Sequence, residues 1–74
     1  MKRTAFQNFI TASANKVGMK SLKDLSDKIG MPYQTMQRRI RDPRSLRMYE
    51  LIGLIDSLGL VGEDQDQLIE SIRG

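Results

Sequence analysis

The sequence has no cysteine, no histidine and no tryptophan, and only two prolines, two phenylalanines and two tyrosines in 74 residues. Without cysteine there is no disulfide, no thiolate metal site and no thiol nucleophile. Without histidine the commonest general base and the commonest metal ligand are both missing. Long apolar runs are missing too. The strongest, Leu51-Ile52-Gly53-Leu54-Ile55, falls far short of the roughly 20 residues a membrane-spanning helix needs. Met1, Lys2 and Arg3 begin the chain, but no apolar signal-peptide core follows them, so a cytoplasmic protein is expected. Carboxylates are present without a base, nucleophile, phosphate-cradling glycine loop or ligand cluster beside them. No catalytic residue, metal, cofactor, small-molecule ligand or membrane partner is therefore expected. At this length the expectation is one domain over residues 1–74, burying about 60% of the surface its unfolded chain exposes.

What is present is an uneven distribution of charge. Residues 1–47 carry eleven Lys or Arg against Asp24, Asp27 and Asp42, a balance of +8. Residues 48–74 carry only Arg73 against Glu50, Asp56, Glu63, Asp64, Asp66 and Glu70, a balance of −5. Five arginines (Arg38, Arg39, Arg41, Arg44 and Arg47) fall within ten residues. A basic front and an acidic rear make a dipole suited to docking one face on a polyanion. Arginine, with its planar fork of donors, matches phosphate oxygens and guanine edges.

Helical periodicity runs through the whole chain, broken by short Gly and Pro segments, and predicts an all-α domain with helices at about 5–16, 22–29, 32–41, 46–58 and 63–73. Thr4 with Gln7, and Ser21 with Asp24, have the spacing of an N-terminal cap and its return contact. Phe6, Phe9, Ile10, Ala14 and Val17 make the apolar stripe of the first helix, and Gly18 stops it. Leu22, Leu25 and Ile29 share a face of the second helix, which Gly30 ends. Pro32 suits the first position of the third helix, where its missing N–H costs nothing. Met36 and Ile40 are that helix's inward residues, and Asp42-Pro43 ends it. Ser45 is read as the cap of a fourth helix, whose broad apolar arc (Met48, Leu51, Ile52, Leu54, Ile55 and Leu58) suggests the centre of the core. Met19, Met31, Met36 and Met48 are read as packing residues. Glu63, Asp64 and Asp66 complement the positive end of the fifth helix.

The second and third helices are joined by too short a turn to lie antiparallel. Ser21 to Arg41 has the form of a helix-turn-helix, with small Ser26 permitting close approach, Gly30 in a left-handed turn and Met31 plugging the wedge. The segment Leu22 to Leu60, with Gly-Met-Pro-Tyr-Gln-Thr-Met, Arg-Arg-Ile, Asp-Pro and then Glu-Leu-Ile-Gly-Leu-Ile-Asp-Ser-Leu-Gly-Leu, resembles the lambda-repressor-like superfamily. Within it the chain is similar to the Cro and repressor proteins of phages and prophages, and its length matches Cro rather than a two-domain repressor. Members often place an apolar residue where this chain has Arg39; here Ile40 takes the inward position. The resemblance implies a five-helix domain that regulates transcription by laying its third helix in the major groove of operator DNA. It places such a protein at the nucleoid.

A helical wheel assigns the third helix independently. At about 100° per residue, Met36 and Ile40 point inward, so Gln34, Arg38 and Arg41 face outward, flanked by Gln37 and Tyr33. Glutamine reads adenine and arginine reads guanine through paired hydrogen bonds. Candidate base contacts are therefore Gln34, Gln37, Arg38, Tyr33 and Arg41. Candidate phosphate contacts are Ser21 through its backbone N–H, Lys23, Thr35, and Arg39 with its stem along the core edge. Arg44 joins them because the resembling family brings this loop near the minor groove. One module reads few base pairs, so a homodimer on a pseudo-palindrome is expected, at least on DNA. Leu60, Val61, Ile69 and Ile72 are its candidate interface, or else they close the monomer core. Two other readings stay open: an antitoxin-type or host regulator, and a protein-interaction module whose basic face meets an acidic partner.

Overall fold

The computed structural model describes residues 4–73, so the basic Met1-Lys2-Arg3 start lies outside the described part. Among those residues the chain forms five α-helices and one 3₁₀ turn, with no strand. They are α1 (Ala5–Lys16), α2 (Leu22–Ile29), α3 (Tyr33–Arg41), the turn Pro43–Ser45, α4 (Met48–Leu58) and α5 (Glu63–Arg73). No helix among them is long and apolar enough to cross a membrane.

The helix starts follow local chemistry. Thr4 Oγ1 accepts the N–H of Gln7 at 3.0 Å, and Ser21 Oγ accepts that of Asp24 at 3.2 Å. The return contact of the second cap is displaced by one residue, since Asp24 Oδ2 accepts the N–H of Lys20 rather than of Ser21. Pro32 stands just outside α3 with an extended ψ of 140°, one residue earlier in role than expected. Its side chain offers no acceptor, so the first N–H groups of α3 have no side-chain cap.

Ser45 is not the cap of the fourth helix. It closes the 3₁₀ turn, its hydroxyl donating to the Asp42 carbonyl at 2.6 Å, and α4 starts only at Met48. Proline fixes φ and starts the tight turn at residue 43, which a cap at Ser45 would have left as loop. The carboxylate of Glu50 takes over the capping task and accepts the N–H of Arg47 at 2.8 Å.

The core is built from Phe6, Ile10 and Ala14 of α1, Leu25 of α2, Met36 and Ile40 of α3, Leu54 and Leu58 of α4, and Leu68 of α5. Met31 and Leu60 complete it from the loops. Helix α1 packs on α5, and α2 packs on both α3 and α4. Where α2 meets α4 the backbones approach closely: a Cβ built on Gly53 would lie 2.9 Å from Ile29 Cγ2. Three expectations fail. Val17 is exposed, because α1 ends at Lys16 and the chain turns away before Val17 can continue the stripe. Met48 is not a packing residue but 71% exposed. Nor is α4 central. Met48 and Ile52 each precede a buried leucine by six residues, which turns them about 120° round the helix and into solvent.

Candidate nucleic-acid interface

The α2–α3 elbow is set by three residues. Gly30 ends α2 at φ +84°, and the N–H groups of Gly30 and Met31 both donate to the carbonyl of Ser26 at 2.9 Å. That left-handed position strains any residue carrying a Cβ. Ser26 is fully buried, with its hydroxyl satisfied by the Lys23 carbonyl at 2.8 Å, so a polar residue fits the joint without an unpaired group. Met31 is buried beneath the turn.

Only one side of α3 is anchored. Met36 and Ile40 are buried, and burying each contributes about 1.5–3 kcal/mol toward holding the helix down. Gln34, Gln37, Arg38 and Arg41 are exposed, and none of them enters an ion pair among the described residues. The nine residues of α3 include no acid. Tyr33 is exposed at the edge of this face and lines a shallow groove with Gln7, Leu22, Gln37 and Arg41. Thr35 is half-buried in a separate groove that it lines with Ile29, Pro32, Tyr49 and Gly53, and Ser21 is exposed at the start of α2. Gln34, Arg38 and Arg41, flanked by Gln37 and Tyr33, share the outward side of α3, as the wheel required.

The cations nearby divide into free and engaged. Lys23 holds Asp27 at 2.7 Å one turn along α2, with both side chains mostly in water. Such a pair is worth less than about 1 kcal/mol and yields readily to a phosphate. Arg39 is engaged differently. Its Nε lies 2.9 Å from Glu50 Oε1, and a terminal nitrogen donates to Ser45 Oγ at 3.3 Å. The Glu50 carboxylate is 1% exposed. Arg39 therefore runs along the core edge as expected but ends on an internal acid, which removes it from the candidate phosphate contacts. Arg44 donates to the carbonyl of Arg73 at 3.2 Å, so it reaches the C-terminal end of α5 rather than the α3 face. It too leaves the interface.

Sequence reasoning missed Glu50. The available signal was its place three residues after Arg47, where a helix starting at Met48 gains most from an acid. The candidate dimer residues separate as well. Leu60 is 5% exposed and belongs to the core, and Ile72 is half-buried against it, while Val61 and Ile69 remain exposed. No cluster of side chains able to hold a metal ion occurs among the described residues.

No family model, curated protein or solved structure matches the chain.

Proposed function

We propose that the chain is a sequence-specific double-stranded DNA-binding protein that regulates transcription, with α3 as the helix that enters the major groove. The observation that carries this reading is the division of α3: Met36 and Ile40 are held inside, while Gln34, Gln37, Arg38 and Arg41 stand uncovered on an acid-free surface. A helix presented this way, at the far side of a glycine-set elbow, has the width and the donor groups that the major groove accepts. Gln34, Gln37 and Arg38 are assigned to base edges, with Arg41 and Tyr33 at the margins. Lys23, Thr35 and the backbone N–H of Ser21 are assigned to phosphates, which fix register without reading sequence. The excess of positive charge in residues 1–47 favours a polyanionic partner. The resemblance to the lambda-repressor-like superfamily points the same way, toward a Cro-like repressor acting at the nucleoid without cofactor or catalysis.

The test is selection from a pool of random duplexes. The expected result is an enriched motif, palindromic if two copies bind together. Binding should weaken with salt by about 0.9 log units per log unit for each phosphate neutralised. Failure to enrich any motif, with tight binding to an acidic protein instead, would favour the protein-interaction reading.

A further inference from the structure

A helix lying in the major groove has a sugar–phosphate backbone along each of its sides. With its side chains the helix is about 10–12 Å across and the groove is about 12 Å wide, so the helix fills it from strand to strand. The surface on both flanks of such a helix must therefore make room for a strand.

Helix α3 is hollowed on both flanks. On one, Tyr33, Gln37 and Arg41 form a stripe at four-residue spacing and share a groove with Gln7 of α1 and Leu22 of α2. On the other, Thr35 shares a groove with Pro32 and with Tyr49 and Gly53 of α4. The volumes are about 290 and 200 Å³, several times the roughly 30 Å³ share of a water molecule, so each admits a phosphate group. Gln34 and Arg38 line neither groove; the wheel sets them between the two. Among the described residues no acid lines either groove. The first groove carries one full positive charge, Arg41, whereas the second offers the Thr35 hydroxyl and the Tyr49 phenol and no charge. Tyr49 is 68% exposed, an aromatic side chain that the core does not account for.

We infer that α3 is a ridge between two backbone seats, one for each strand, held by different chemistry. Arg41 and Gln7 donate to a phosphate of one strand, and Tyr49, with Thr35, donates to a phosphate of the other. The inference rests on α3 entering the major groove. It adds Gln7 and Tyr49 to the contacts and gives Arg41, at the margin of the base-reading set, to a phosphate. The guanidinium displaces a condensed counterion from its strand; the phenol, being neutral, displaces none. The Tyr49 ring supplies apolar area against the sugar while its O–H reaches the phosphate oxygen. Held from both sides, α3 cannot roll about its axis, which keeps Gln34 and Arg38 aimed at base edges.

Fluorescence anisotropy of the full chain on a selected duplex, with single phosphates made neutral as methylphosphonates, tests it. Within the segment covered by one copy, one sensitive phosphate should be found on each strand, its neutralisation weakening binding about tenfold or more. In Arg41→Ala the penalty on one strand should largely vanish while that on the other stays, and Tyr49→Phe should do the reverse. Gln7→Ala should act on the same strand as Arg41→Ala. Arg41→Ala should also flatten the salt slope by about one unit, whereas Tyr49→Phe should lower affinity severalfold and leave the slope unchanged. Both side chains are exposed, so both variants should unfold at the unaltered temperature, which separates loss of binding from loss of the fold. Binding that needs Gln34 and Arg38 but is indifferent to Arg41→Ala and Tyr49→Phe would overturn the two seats and leave the role of α3 standing. So would two variants that act on the same strand. A chain that binds no duplex at all would overturn the role of α3 and the seats with it.

Discussion

Arg39 and Glu50 meet at 2.9 Å across the gap between α3 and α4, with the carboxylate buried and the guanidinium mostly so. The contact joins the exposed helix to the rest of the domain by more than its two apolar anchors. Glu50 also accepts the N–H of Arg47, and Arg39 also donates to Ser45, so four residues on three elements are fastened together.

Removing one partner should therefore be costly. Arg39→Ala leaves a buried carboxylate with only the Arg47 N–H, and a loss of about 2–4 kcal/mol in denaturant unfolding is expected. The Lys23–Asp27 pair, with both side chains mostly in water, supplies the control: Asp27→Ala should change stability by no more than about 0.5 kcal/mol. Equal small effects from both would mean that the Arg39 pair fastens nothing.

Gly53 offers a second test of packing. A methyl group there meets the β-branch of Ile29 at 2.9 Å, and that branch is too close to the backbone to swing aside. Gly53→Ala should be destabilising by about 1–2 kcal/mol despite the roughly 1 kcal/mol gained in helix propensity. Ile29→Leu, which removes the branch, should cost less in the Gly53→Ala background than alone. Additive losses would place the two residues apart.

The division of labour on the proposed DNA face predicts two classes of binding variant. Gln34→Ala and Arg38→Ala should each lose about 1–3 kcal/mol of preference for a selected site and much less affinity for random duplex. Lys23→Ala should weaken both equally and reduce the salt slope by about one unit. If Arg38→Ala behaves like Lys23→Ala, Arg38 holds a phosphate and carries no sequence information.

Much of the fold was legible because its determinants are local. Thr4 and Ser21 cap the helices they precede, Gly30 turns left-handed where a short elbow demands it, and the spacing of Met36 and Ile40 alone fixes which side of α3 faces water. What failed depends on contacts distant in the chain. Arg39 finds Glu50 eleven residues away, and Arg44 finds the end of α5. Apolar character gave no warning that Met48 and Ile52 would face outward, because several residues of α4 are equally apolar and the burial of Leu54 and Leu58 in the core selects the inner side.

The most direct test of the α3 assignment is an amide NMR titration of the full chain with a selected duplex, extended to a random duplex at low salt. The largest shifts should fall on α3 at Gln34, Gln37, Arg38 and Arg41 and on the start of α2 at Ser21 and Lys23, with α5 unmoved. Shifts concentrated on α4 and α5 while α3 stays still, or no shifts with either duplex, would contradict it.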